Sequence, residues 1–97
     1  MATDFATYTQ ALAKINCYSQ DMSSAFQWFR DIHNLYPVVR KRNEMYGKYF
    51  YRIVDYNKPS GSTIVVDSEP NYNFVDARDL ALTELIEIVK NKRYVVL

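Results

Sequence analysis

A chain of 97 residues, 48% of them hydrophobic, has room for one folded domain, residues 1–97, and is too apolar to belong to the disordered class. Its formal net charge of +1 excludes a global attraction to nucleic acid or to a membrane surface. One cysteine excludes an internal disulfide, and with no leader-like start and no apolar run near the ~20 residues that span a bilayer, a cytoplasmic protein is expected.

The near-neutral total hides an uneven distribution. Residues 1–66 carry eight Lys/Arg against five Asp/Glu, a balance of +3. Residues 67–89 carry one against six, or −5, and residues 90–97 carry three against none, or +3. Such texture suits a partner that is itself charge-patterned, and solvated faces produce it too.

In chain order, residues 3–17 place Phe5, Tyr8, Leu12 and Ile15 at steps of three and four, which predicts a first helix with a narrow, loosely docking apolar stripe. Residues 22–35 repeat the pattern more strongly with Met22, Ala25, Phe26, Phe29 and Ile32, with Trp28 on the shoulder. Ser19 or Asp21 can cap this second helix, and Pro37 stops it. Val38 and Val39 open an extended stretch. Residues 45–56 are rich in Tyr, Phe, Ile and Val, which suit a pleated surface. Residues 57–61 (Asn-Lys-Pro-Ser-Gly) read as a five-residue hairpin loop, and residues 63–67 as the returning strand.

The last helix is the clearest element. Asn73 caps it, Asp76 supplies an acidic first turn, and Ala77, Leu80, Ala81, Leu82, Leu85, Ile86, Ile88 and Val89 cover a broad arc that also holds Arg78. Leu82 and Ile86, at the edge of that arc, are expected to meet the first helix or a partner. The apolar residues 94–97 either pack on the core or pair as a strand at a sheet edge or in a homodimer. The order is α(α)-β-β-β-α. It predicts an α+β fold, a small antiparallel three-stranded sheet with helices packed on one face.

Catalytic equipment is sparse. His33 is the lone histidine and Cys17 the lone cysteine, on different predicted helices. His33 reads as a surface residue whose cation is favoured by the nearby helix end. One His and one Cys cannot make a four-ligand zinc site, the carboxylates lack calcium-loop spacing, and Gly47 and Gly61 are too isolated to cradle a phosphate. No catalytic residue, metal, cofactor or small-molecule substrate is therefore expected, and the protein reads as a non-enzyme.

One stretch stands apart. Residues 40–56 interleave cations with aromatics. On a strand, Tyr49, Tyr51 and Ile53 share one face, and Lys48, Phe50, Arg52 and Val54 the other. If the first set is core, the exposed face shows Tyr46, Lys48, Phe50, Arg52 and Tyr56, supported by Arg40 and Arg42. Such a face can stack on bases while its cations hold phosphates, or anchor a protein through Tyr, Phe and Arg. It can also be an ordinary half-solvated sheet.

Two strings carry a resemblance. Residues 25–35 (AFQWFRDIHNL) and 85–92 (LIEIVKNK) resemble a group of small phage and prophage proteins of Bacteroidota, over roughly residues 22–92. A phage origin implies a counter-defence role, since the chain is similar in size and character to anti-CRISPR proteins, among them an inhibitor of the RNA-guided RNase of type VI-B systems. The resemblance implies a partner that is a host CRISPR effector nuclease, with its guide RNA as a further contact. The alternative is a small RNA- or DNA-binding module. The element order resembles that of double-stranded-RNA-binding domains, although their basic helix start is absent here.

Overall fold

The computed structural model describes residues 5–41, 47–58 and 61–91. Its elements are a 3-10 turn (Phe5–Thr7), α1 (Thr9–Ala13), α2 (Met22–His33), β1 (Leu35–Lys41), β2 (Tyr49–Lys58), β3 (Gly61–Asp67) and α3 (Phe74–Lys90). Among the described residues the strands form one antiparallel sheet in the order β1-β2-β3. The α+β fold is as the sequence predicts. Residues 94–97, and with them the expected tail or dimer strand, lie outside the described residues.

The helices cover one face of the sheet. Leu35, Tyr51 and Ile53 point to that face and are buried. They pack in two clusters with Ala25 and Phe29 of α2 and with Ala77, Ala81, Leu82, Leu85 and Ile88 of α3. Leu12 of α1 is fully buried in the larger cluster beside Leu82 and Ile86. The first segment is thus core, not loosely docked. It is also shorter than the predicted helix, since Asn16 takes a left-handed φ of 68° that no helix continues through.

α2 keeps its predicted start, where the Asp21 side chain accepts the Ser24 N–H at 2.7 Å. That bond holds the carboxyl below its ordinary value of 3.8. The helix ends earlier than the stripe suggests. Asn34 adopts φ 52° and donates its N–H to the Phe29 carbonyl, so one left-handed residue turns helix directly into strand. Ile32, counted in the stripe, is 60% exposed, because the buried contacts of α2 stop at Phe29.

β2 contains the least expected packing. Asp55↔Thr63 and Lys58↔Gly61 are both paired, so β2 carries one residue more than β3 between them. The Asn57 N–H turns to the Asp55 side chain at 2.9 Å, and Asn57 Nδ2 donates to the same Oδ1 and to the His33 carbonyl, both at 2.7 Å. Both side chains are buried. This knot satisfies an orphan carbonyl at the end of α2 and ties the helix to the middle strand. Asp55→Ala is expected to cost about 2–3 kcal/mol by stranding buried donors, and Asp55→Asn less, as urea denaturation would read.

α3 starts on its predicted cap, with the Asp76 N–H donated to Asn73 Oδ1 at 2.8 Å. Asn73→Ala is expected to lower stability by about 1 kcal/mol, visible as a lowered thermal midpoint. Asp79, outside the predicted arc, is buried, and its Oδ1 accepts Arg78 Nη2 at 3.1 Å.

Candidate functional site

Among the described residues, the face of the sheet turned away from the helices is open, and its layout follows from register. Tyr36 pairs with Val54, and Val54 with Ile64, in one row across all three strands. The adjacent row is Val38, Arg52 and Asp67, and beyond it Arg40 pairs with Phe50. A bulge lets Ile64 face outward, because Ile53 pairs with Val66 and Val54 with Ile64, which leaves Val65 as the extra residue. Val65 and Val66 then both pack toward the core.

One end of this face is apolar. Tyr36 and Tyr56 meet edge to face with ring centroids 4.7 Å apart, and Ile64 stands beside them across Val54. Tyr36 is 38% exposed, Tyr56 50% and Ile64 52%. Three large side chains presented together make a patch of the kind that marks interaction sites. Diagonal neighbours across an antiparallel pair lie within reach of aromatic rings, which is why Tyr36 and Tyr56 touch although they are not directly opposite.

The other end is charged and partly self-satisfied. Arg52 Nε and Nη2 reach the two oxygens of Asp67 at 3.2 and 3.4 Å. Its guanidinium also lies 5.3 Å from the Phe50 ring centroid. Phe50 is only 9% exposed, flanked by Arg40 on β1 and covered by Arg52. It is therefore a buried ring within the sheet face, not the exposed anchor its position in the strand suggested. Arg40 and Lys48 are exposed at this end. Arg42 and Tyr46 lie outside the described residues. The structure thus brings Arg40, Lys48, Phe50, Arg52 and Tyr56 onto the same face, buries Phe50 and commits Arg52 to Asp67.

Sequence reasoning missed Tyr36 and Ile64. Tyr36 falls between the predicted helix, residues 22–35, and Pro37 and so belongs to no predicted element, while Ile64 needs the bulge to turn it outward. Pro37 itself sits within β1 because the strand is at the sheet edge, where a missing N–H leaves no ladder bond unmade.

Titratable chemistry does not gather anywhere on this surface. Among the described residues, no group of three or more His, Cys, Asp or Glu side chains is placed to hold a metal ion. Cys17 is buried, with its Sγ donating to Ser19 Oγ at 3.4 Å. The His33 ring packs 4.7 Å from that of Trp28 and is half-buried, which lowers its pKa below 6.5. This corrects the expected surface cation: desolvation outweighs the helix end. An unfolded chain then binds the proton more readily than the folded one. Stability is fully present above about pH 6.5 and declines as pH falls through that value toward the folded pKa. Urea midpoints measured across this range should fall with pH, and His33→Gln should flatten that leg.

Among the described residues, no helix is long and apolar enough to cross a membrane. No protein family, no curated protein and no solved structure matches this chain.

Proposed function

We propose that the protein acts by binding, without catalysis, and that the open sheet face docks on a protein partner. The observation that carries this reading is the exposed row of Tyr36, Val54 and Ile64 with Tyr56 stacked against it. Aromatic side chains at the centre of a desolvating patch are the usual energetic anchors of protein interfaces. A standard interface needs about 800 Å² from each partner, and a domain this size can offer it.

Two features favour protein over nucleic acid on this face. Arg52 is already paired with Asp67, so it is not free to hold a phosphate. The two tyrosines pack edge to face on one another, which uses up ring surface that bases would stack on. The resemblance to phage proteins supports the identity of the partner: a CRISPR effector nuclease of the bacterial host, whose inhibition would be the biological role.

The test is an affinity pull-down of tagged protein from a host with an active CRISPR system, with and without RNase treatment. The effector nuclease should be recovered in both samples. Recovery that disappears on RNase treatment would make the guide RNA the bridge and favour an RNA-binding module. Absence of the nuclease from both would overturn the inhibitor reading.

A further inference from the structure

The outer edge of β1 is a second place where the molecule is incomplete. The Tyr56 N–H donates to the Asn34 carbonyl at 3.0 Å, so Asn34 and Tyr56 form a hydrogen-bonded pair. In an antiparallel ladder such pairs alternate. Tyr36, Val38 and Arg40 therefore bond to β2, while Leu35, Pro37, Val39 and Lys41 turn their backbone groups outward. The other edge of β2 agrees, since on the β3 side Tyr49 exchanges backbone bonds with Tyr72, the Ser68 N–H donates to the Tyr51 carbonyl, and the Tyr51 N–H donates to Ser68 Oγ. Pro37 removes one outward donor. The Val39 N–H and the carbonyls of Pro37 and Val39 still face outward, and among the described residues no strand lies beyond them.

A groove of about 550 Å³ runs along this edge. Pro37 to Arg40 form one wall, Met22 and Phe26 of α2 the apolar part, and Arg30 and Arg78 close it together with Arg40. No carboxylate lines it among the described residues. Side chains of a strand laid beside β1 would alternate between the open face and this groove. Those entering the groove would meet Met22 and Phe26, with guanidinium groups at its margins.

We propose that this edge takes an extended, acidic segment of a partner protein as a fourth strand. Outward amides give the affinity, the apolar floor accepts every second side chain, and Arg30 and Arg40 select for Asp and Glu in the segment, Arg78 being already paired with Asp79. A second copy of this chain fits poorly, because its β1 (Leu35–Lys41) brings two cations and no carboxylate to a groove whose margins are already cationic. This site is separate from the tyrosine patch, and its test uses purified protein alone.

The experiment is amide hydrogen exchange of the full chain with ten-residue synthetic peptides in which Glu alternates with Val, Ile or Tyr. Matched peptides with Lys for Glu, and an oligouridylate as a polyanion without strand-forming backbone, complete the set. The Glu peptides should slow exchange at Val39 by about tenfold or more, with binding that weakens as salt rises. Val39→Pro, which has no amide of its own to read, should abolish binding of a fluorescently labelled Glu peptide, because it deletes an N–H that points away from β2 and spares the ladder. Arg30→Glu, at the half-buried groove side of α2, should weaken the Glu peptides and admit the Lys peptides. No protection by any Glu peptide, equal protection by Lys peptides, or protection by oligouridylate in their place would each overturn the proposal.

Discussion

Phe29→Ala should leave the protein largely unfolded under mild denaturing conditions. Phe29 is fully buried, among the largest such side chains in the molecule, and packs edge-on against Trp28 with ring centroids 5.0 Å apart. It belongs to the cluster that joins α2 to Leu35 and Ile53 of the sheet and to Leu82 and Leu85 of α3. Truncating a buried Phe costs about 3–5 kcal/mol through lost transfer energy and the cavity left behind. A domain of this size holds only about 5–10 kcal/mol in total. The thermal midpoint should therefore fall by about 20 °C, at roughly 4–8 °C per kcal/mol. Ile32→Ala on the same helix is the control. Ile32 is 60% exposed, and its loss should change stability by no more than about 0.5 kcal/mol. Equal effects of the two substitutions would mean that α2 presents a different face to the sheet.

The second large effect is on binding. Tyr36→Ala combined with Tyr56→Ala removes the aromatic pair from the open face while touching neither buried cluster. Affinity for the partner should fall by at least about a hundredfold, since interface anchors of this kind are each worth about 2 kcal/mol or more. Both rings are well exposed, so the folded state should lose little. Phe50→Ala with Arg52→Ala is the less informative pair. Phe50 is buried within the sheet face and Arg52 is engaged with Asp67, so that variant mixes lost packing with lost contact.

The sequence carried the helices and the sheet well where one period dominates. The buried residues of α3 follow the broad apolar arc because eight of its positions repeat at helical spacing, and Asn73 caps where a polar side chain meets that pattern. The alternation of Tyr49, Tyr51 and Ile53 separates the two faces of β2 but leaves open which is core, and the structure turns Tyr51 and Ile53 to the helices. What stayed hidden depends on backbone geometry that side-chain patterns do not encode. The left-handed Asn34 ends α2 and starts β1 within one residue, which puts Tyr36 on a strand face. The extra residues in β2 and β3 are also silent in the sequence, yet they create the buried Asp55–Asn57 knot and turn Ile64 outward. Asp79 is buried against expectation, with Arg78 folded beside it as its partner.

The same reasoning explains why the candidate surface shifted rather than vanished. Of the stretch of interleaved cations and aromatics, Arg40, Phe50, Arg52 and Tyr56 lie on the open face. Its centre of exposed apolar area is at Tyr56, where register brings in Tyr36 and Ile64 from the neighbouring strands. At its other end, Arg52, Asp67 and Phe50 satisfy one another.

The central claim is that the open sheet face is the docking surface. Site-specific photo-crosslinking tests it most directly, with benzoylphenylalanine in place of Tyr56 in one protein and in place of Gln10 in another. Tyr56 stands on the open face, and Gln10 is exposed on α1. Irradiation of the purified protein with the effector nuclease should give a crosslinked product from position 56 and none from position 10. A crosslink from position 10 alone, or none from position 56 with a nuclease that is still inhibited, would contradict the account.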